Sequence, residues 1–180
     1  MERNLALIAL FAALIAALGL IPKFTLAFGV PITAQSMGVM LCGTVLGARR
    51  GALAVLLFLA LVALGLPLLA GGRGGLGAFA TPSVGFLIGF PVAAFVTGLI
   101  VERWRAGLAS VAAVASLVGG VVVLYAFGVV GMSLMLDKSI PQAALLVTAF
   151  IPGDVIKAIL AGLITAGLAK SRPSSVLSRG

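Results

Sequence analysis

Runs of apolar residues, interrupted by short polar or glycine-rich punctuation, divide the chain into six stretches. They run over Leu5–Ile21, Gln35–Ala48, Gly51–Leu69, Ser83–Val101, Leu108–Gly131 and a last one ending near Ala169. A bilayer core of about 30 Å takes roughly 20 apolar residues as a helix, so the pattern predicts six membrane-spanning helices. The second stretch is short and is expected to begin within a membrane-embedded loop. The fourth contains Pro91, whose ring removes a backbone hydrogen bond and predicts a kink. In the sequence IPGD, Pro152 suits a first helical turn and Asp154 suits the positive end of the helix dipole. The last helix is therefore expected from near Pro152, with residues 140–150 a short helix or a re-entrant approach. The first stretch has the outline of a signal peptide, but its length and the apolar segments that follow favour a first transmembrane helix.

Composition supports the same class. The 180 residues are 62% hydrophobic and 9% charged, against about 25% charged in soluble domains. Mean hydropathy is +1.32. The fold class expected is an all-α integral membrane protein, with six transmembrane helices and long outer loops forming a ligand pocket. A net charge of +8 could suggest nucleic acid, but the basic residues lie singly or in pairs between apolar runs, so no nucleic-acid partner is expected. With both termini cytoplasmic, Arg3, Arg49, Arg50, Arg103, Arg105, Lys170, Arg172 and Arg179 lie inside and Lys23, Arg73 and Lys138 outside. Lys157 falls within the last span. The inverse topology breaks the positive-inside bias. Residues 171–180 read as a short, disordered, basic cytoplasmic tail behind a domain spanning 1–170.

This topology puts three connections outside, residues 22–34, 70–82 and 132–151, all longer than the inner links and rich in Gly and Pro. Irregular backbone near lipid is tolerated where it is buried in protein or lines a cavity, so the ligand site is expected on that side. The second connection contains a G-x-G-x-x-G match at Gly72, Gly74 and Gly77. A dinucleotide site would need a preceding strand and an acid about 20 residues on, and position 97 is a Thr. The glycines, Gly75 among them, instead suit a loop whose backbone turns sharply and approaches a ligand closely.

Candidate chemistry is scarce. The chain has no His and one Cys, Cys42, within an apolar run, so a disulfide, a Cys/His metal site and a His-based triad are excluded by inventory. Cys42 reads as a packing residue. Of the four acids, Glu2, Glu102, Asp137 and Asp154, the last alone belongs to a membrane segment, with Lys157 on the same helical face at i+3. Ionisable groups in membranes are costly and usually line a cavity. The pair is either a neutralising lock or a binding face. Multi-carboxylate catalysis has no residues to work with, and no P-loop is present, so any energy for transport comes from a partner or a gradient. Gln35, at the outer end of the second helix, suits either an interhelical hydrogen bond or a ligand contact. Ala9, Ala13 and Ala17, with Ala12 and Ala16 beside them, and Gly43, Gly47 and Gly51, form small-residue stripes that suit internal packing or an intermolecular face.

Three separated stretches, VPITAQSMGVMLCGTVLGARRGALAV, GLPLLAGGRGGLGAFATPSVGFLIGF and FIPGDVIKA, together resemble the BioY family over about residues 5–170. The resemblance implies a six-helix subunit of an energy-coupling-factor (ECF) transporter. Such a subunit captures biotin outside the cytoplasmic membrane and works with a transmembrane coupling subunit and ATPase subunits. It implies no enzyme activity and no cofactor, biotin being the transported ligand. Asp154 and Lys157 match the family's F-I-P-G-D-x-x-K motif, and suit a ureido ring that offers N–H donors beside a carbonyl. Gln35 matches a polar position in the first motif, and Phe86 an aromatic that can pack on the thiophane ring. Ala9, Ala13 and Ala17 resemble the face presented to the coupling subunit; a homo-oligomer is the other arrangement those stripes admit. Two positions depart from the family pattern. Arg73 stands where a small polar residue is common, and Leu87 where some members have Arg. Arg73 is expected either to meet the ligand's carboxylate as a bidentate guanidinium or to point into solvent. Capture of another vitamin, or a ligand-free structural role, are the competing functions.

Overall fold

A computed structural model describes residues 2–25, 27 and 30–179. Residues 26, 28 and 29 of the first outer connection, Met1 of the 1–170 domain and Gly180 of the tail lie outside the described residues. Eight α-helices are present among those described: α1 (Glu2–Leu18), α2 (Gln35–Leu46), α3 (Ala48–Ala63), α4 (Val84–Arg103), α5 (Leu108–Leu117), α6 (Leu124–Met135), α7 (Ile140–Val147) and α8 (Ile151–Ser171). A π-helical turn, Val118–Val123, joins α5 to α6, and a 3-10 turn, Thr148–Phe150, joins α7 to α8. The result is the expected six-helix membrane fold. By length and composition Val84–Arg103, Leu108–Met135 and Ile140–Ser171 can each cross a membrane, and α2 is a shorter apolar helix. Large apolar side chains such as Leu53, Ile88, Val122 and Leu163 lie exposed around the bundle. Lipid supplies the solvent such a surface needs.

Because lipid tails are as apolar as Leu, helices in a membrane associate through close packing rather than through burial from water. The helix contacts show this. α4 sits centrally against α2, α3, α5 and α6, while α5 packs on α8. A Cβ at Gly43 of α2 would stand 2.5 Å from the Ala94 carbonyl oxygen and 2.7 Å from Thr97 Cβ on α4, so only glycine permits that approach. The Gly43, Gly47, Gly51 stripe is buried and serves internal packing. The Ala9, Ala13, Ala17 stripe is exposed, whereas Ala12 is buried beside it. α1 itself packs on α3 and α2 through Phe11, Ala12 and Ile15, as an integral helix of the core. Cys42 is buried in that core.

Several boundaries differ from the sequence reading. The third helix ends at Ala63, six residues before the expected Leu69. Gly65 takes φ +106°, where L side chains are strained, and donates its N–H to Val62 O at 3.0 Å while Leu66 donates to Leu61 O at 3.2 Å. This is the glycine-terminated stop that satisfies the last carbonyls, and Pro67 bars any continuation. α4 runs as a single helix through Pro91. A further irregularity is the π turn, where Gly119 and Gly120 combine with four valines of low helix propensity. The tail is not a disordered segment. Pro173–Ser175 and Leu177–Arg179 form 3-10 turns, and Val176 and Ser178 are 4% and 2% exposed. Ser178 Oγ donates to Thr44 O at 2.5 Å, and Arg179 Nη2 donates to Trp104 O at 2.9 Å and Ala106 O at 3.2 Å. A buried valine and unpaired backbone carbonyls at the helix ends hold it down.

Candidate ligand-binding site

The connections between α1 and α2 and between α3 and α4 meet at one end of the bundle. The first contains a two-residue antiparallel pair, Phe24–Thr25 with Pro31–Ile32. The second folds back on itself. Leu69 N donates to Arg73 O at 2.9 Å and Arg73 N to Leu69 O at 3.2 Å, closing a turn in which Gly71 and Gly72 take φ +79° and +70°. The G-x-G-x-x-G glycines thus make a tight turn followed by a 3-10 segment, Leu76–Ala80. No dinucleotide-type strand or helix flanks them.

Beneath these connections lies a cavity of about 60 Å³, lined by Thr33, Gln35, Ser36, Arg73, Ser83, Phe86, Leu87, Phe90, Leu124, Phe150, Asp154 and Lys157, with Val30, Pro31, Ile32 and Leu69 completing the wall. Five of the predicted residues, Gln35, Arg73, Phe86, Asp154 and Lys157, therefore converge from four elements. Gly75 does not join them. Its φ is +76° and its N–H is spent on Val62 O at 2.7 Å, which makes it a residue of the loop's own architecture.

The charged pair stands at the floor of the cavity. Asp154, in the first turn of α8, is 5% exposed. Its Oδ1 accepts from Lys157 Nζ at 2.7 Å and from Ser36 Oγ at 3.2 Å, and its Oδ2 accepts from the Tyr125 hydroxyl at 2.7 Å. Lys157 Nζ also donates to Thr33 O at 2.7 Å and to Ser36 Oγ at 3.1 Å. An ammonium has three N–H donors and all three are used; a carboxylate offers about four acceptor positions, so Oδ2 keeps one free. The cluster ties α8 to α2, α6 and the first connection, and opens on the cavity. It is at once a lock and a polar floor.

The walls are aromatic. Phe86 meets Tyr125 and Phe150 edge to face, with ring centroids at 6.3 Å and 5.9 Å and interplanar angles of 80° and 79°. Tyr125 and Phe150 complete the triangle at 6.4 Å. Phe86 and Phe150 of this cluster line the cavity together with Phe90, and Tyr125 directs the cluster's one hydroxyl at Asp154.

At the rim, Arg73 is half-buried rather than directed into solvent. Its Nε donates to Ala70 O and its Nη1 to Ser83 Oγ, both at 3.4 Å, long for N–H···O bonds. Burial lowers its pKa from the ordinary value. Arg73 is thus a partly desolvated guanidinium with loosely held partners and, among the described residues, no carboxylate. Gln35 is held tightly by contrast. Its Nε2 donates to Ile15 O at 3.1 Å and Leu68 O at 3.0 Å, and its Oε1 accepts from Ala70 N at 3.0 Å. Three of the amide's four positions serve the protein, which makes Gln35 a clamp between α1, α2 and the glycine loop.

Sequence reasoning missed Ser36, Thr33, Ser83, Phe150 and Tyr125. Tyr125 carried a signal: it is the sole tyrosine, placed mid-span in an apolar run. Phe150 directly precedes the IPGD motif. Thr33 takes part through its backbone carbonyl, which no residue type could disclose.

Residues 2–174 match the BioY family. The chain is 54% identical over 190 residues to the biotin transporter BioY of Rhodobacter capsulatus, covering all of both chains. It is 54% identical over 169 residues to the biotin transporter BioY of Rhizobium etli, covering 90% of each, and 41% identical to the probable biotin transporter BioY of Bacillus subtilis. Among solved structures it is similar to the S-component for biotin from an ECF-type ABC transporter, with a TM-score of 0.89 and 31% identity across 97% of this chain and 96% of that one. With this fold, this cavity and similarity along its whole length, the chain belongs to the BioY family, a family of membrane transporters and not of enzymes.

Proposed function

We propose that the chain captures biotin in the Asp154 cavity and is the substrate-specific subunit of an ECF-type transporter in a bacterial cytoplasmic membrane. The observation that carries the proposal is a buried Asp–Lys pair facing an aromatic box beneath two closing loops. Biotin's ureido ring offers N–H donors and a carbonyl. The free position on Asp154 Oδ2 takes a donor, and Lys157 turns one N–H from Thr33 O or Ser36 to the carbonyl. The bicyclic ring packs against Phe86 and Phe150, and the valerate carboxylate reaches the guanidinium of Arg73. Ligand pockets commonly measure about 300–1,000 Å³, so a cavity of 60 Å³ has to widen to hold biotin. The glycine-rich connection, residues 70–82, is the segment that moves aside to admit the ligand.

Both termini lie on the cytoplasmic side, which puts the cavity outside with Lys23, Arg73 and Lys138 and most arginines inside. Residues 1–170 form the capture domain and 171–180 a basic tail folded against it. The exposed Ala9, Ala13, Ala17 face of α1 is where the coupling subunit docks, and the chain has no P-loop, so partner ATPase subunits supply the energy. A second copy of the chain is the other occupant that face admits. Calorimetric titration of the purified protein with biotin and a panel of other vitamins tests the reading. Saturable binding of biotin alone is expected; binding of another vitamin in its place overturns it.

A further inference from the structure

At the opposite end of the bundle from the Asp154 cavity, a larger cavity of about 590 Å³ lies between α3 and α4. Arg49 and Arg50 from the first turn of α3, and Arg103 from the last turn of α4, line it together with Glu102, Phe95 and Leu99. Its charge is not balanced. Glu102 Oε1 accepts the Ala48 N–H at 2.9 Å, capping α3. Among the described residues none of the three arginines makes an ion pair or a side-chain hydrogen bond. Three guanidinium groups thus face one carboxylate that is already engaged.

The apolar part of the lining has a direction. Phe95, Leu99 and Arg103 recur at four-residue spacing, so they form one stripe of α4 running from the apolar girdle to a charge. Phe95 is 39% exposed. On α3, Arg50, Leu53 and Leu57 share a face at three- and four-residue spacing, with both leucines exposed and outside the cavity lining. A free anion needs the arginines and has no use for the stripes. A phospholipid uses both.

We propose that this cavity binds the headgroup of an anionic phospholipid, with its phosphate between Arg49, Arg50 and Arg103 and an acyl chain along Leu99 and Phe95. The excess of positive charge selects an anionic head, because a zwitterionic one brings its own cation into the same field. Guanidinium forks suit a phosphate's paired oxygens.

Native mass spectrometry of the purified chain, titrated with phosphatidylglycerol or with phosphatidylcholine of the same acyl chains, tests the assignment. Phosphatidylglycerol is expected to bind at lower concentration. Each arginine near a membrane surface is worth about a fivefold change in affinity for anionic lipid. Arg50→Gln with Arg103→Gln should therefore weaken phosphatidylglycerol about 25-fold, with phosphatidylcholine unaffected. Lys170→Gln, which removes a charge outside the cavity, should change it less than about twofold. Should the double variant fail to fold, Arg103→Gln alone, on an exposed side chain, carries the fivefold expectation. Equal affinity for the two lipids, or a variant that binds phosphatidylglycerol as the parent does, overturns the proposal. So does displacement of the lipid by millimolar inorganic phosphate, which would make the cavity a free-phosphate site.

Discussion

Replacing Gln35 by Leu separates two roles that residue type alone leaves equal. In the structure the amide makes three hydrogen bonds, to Ile15 O, Leu68 O and Ala70 N, at 3.0–3.1 Å. Leu removes all three and leaves Leu68 O and the Ala70 N–H without partners, while Ile15 O keeps the Gly19 N–H at 3.2 Å. A hydrogen bond of this kind contributes about 1 kcal/mol in water-soluble proteins and about 0.6 kcal/mol within membranes. Three of them, at a position between the two environments, amount to about 2–3 kcal/mol. Denaturant unfolding of the purified protein in detergent should show that loss. Biotin affinity of the folded fraction should fall less than about tenfold, because the ligand's polar partners lie elsewhere. Gln35→Glu, which cannot donate to either carbonyl, should destabilise at least as much. A Gln35→Leu protein of unchanged stability that no longer binds biotin would make Gln35 a ligand contact and not a clamp.

Arg73→Ala should weaken biotin, but leave unchanged the affinity of an analogue whose valerate is capped as an amide; equal losses for both would remove Arg73 from the carboxylate. Ala13→Leu, on the exposed face of α1, should leave biotin binding intact and reduce biotin uptake by cells that carry the coupling and ATPase subunits. Full uptake by that variant would move the docking face elsewhere. Tyr125→Phe keeps the aromatic box and deletes one charge-assisted bond, so it should destabilise the fold by about 1.5–3 kcal/mol in the same unfolding assay. A variant as stable as the parent would show that Asp154 Oδ2 does not depend on the hydroxyl.

Much of this architecture was legible because lipid imposes a simple rule on the sequence. Apolar runs gave the spans, and the rarity of charge inside them singled out Asp154 and Lys157. What escaped was local. The stop at Ala63 was written in Gly65 and Pro67, but an unbroken apolar run concealed it, since Leu66, Leu68 and Leu69 suit a loop against the bundle as well as a helix. Hydropathy cannot register the π turn, because its valines and glycines are as apolar as the helix they interrupt. The tail looked free because Ser and Arg are usually solvated. Ser178 and Arg179 instead satisfy carbonyls at helix ends, a need visible only once those ends stand side by side. The two small-residue stripes are equivalent as patterns, yet Gly43, Gly47 and Gly51 are buried and Ala9, Ala13 and Ala17 exposed. Burial distinguishes them, and burial depends on which face of α1 the rest of the chain covers.

The claim on which the rest depends is that Asp154 and Lys157 hold the ligand. Calorimetric titration of biotin into Asp154→Asn and Lys157→Ala proteins, each first shown to be folded, tests it most directly. Removing one member of a buried, hydrogen-bonded charge pair at a binding site costs about 2–5 kcal/mol, a loss of roughly thirtyfold or more. Both variants are predicted to bind at least that much more weakly than the parent. Parental affinity in both would contradict the account.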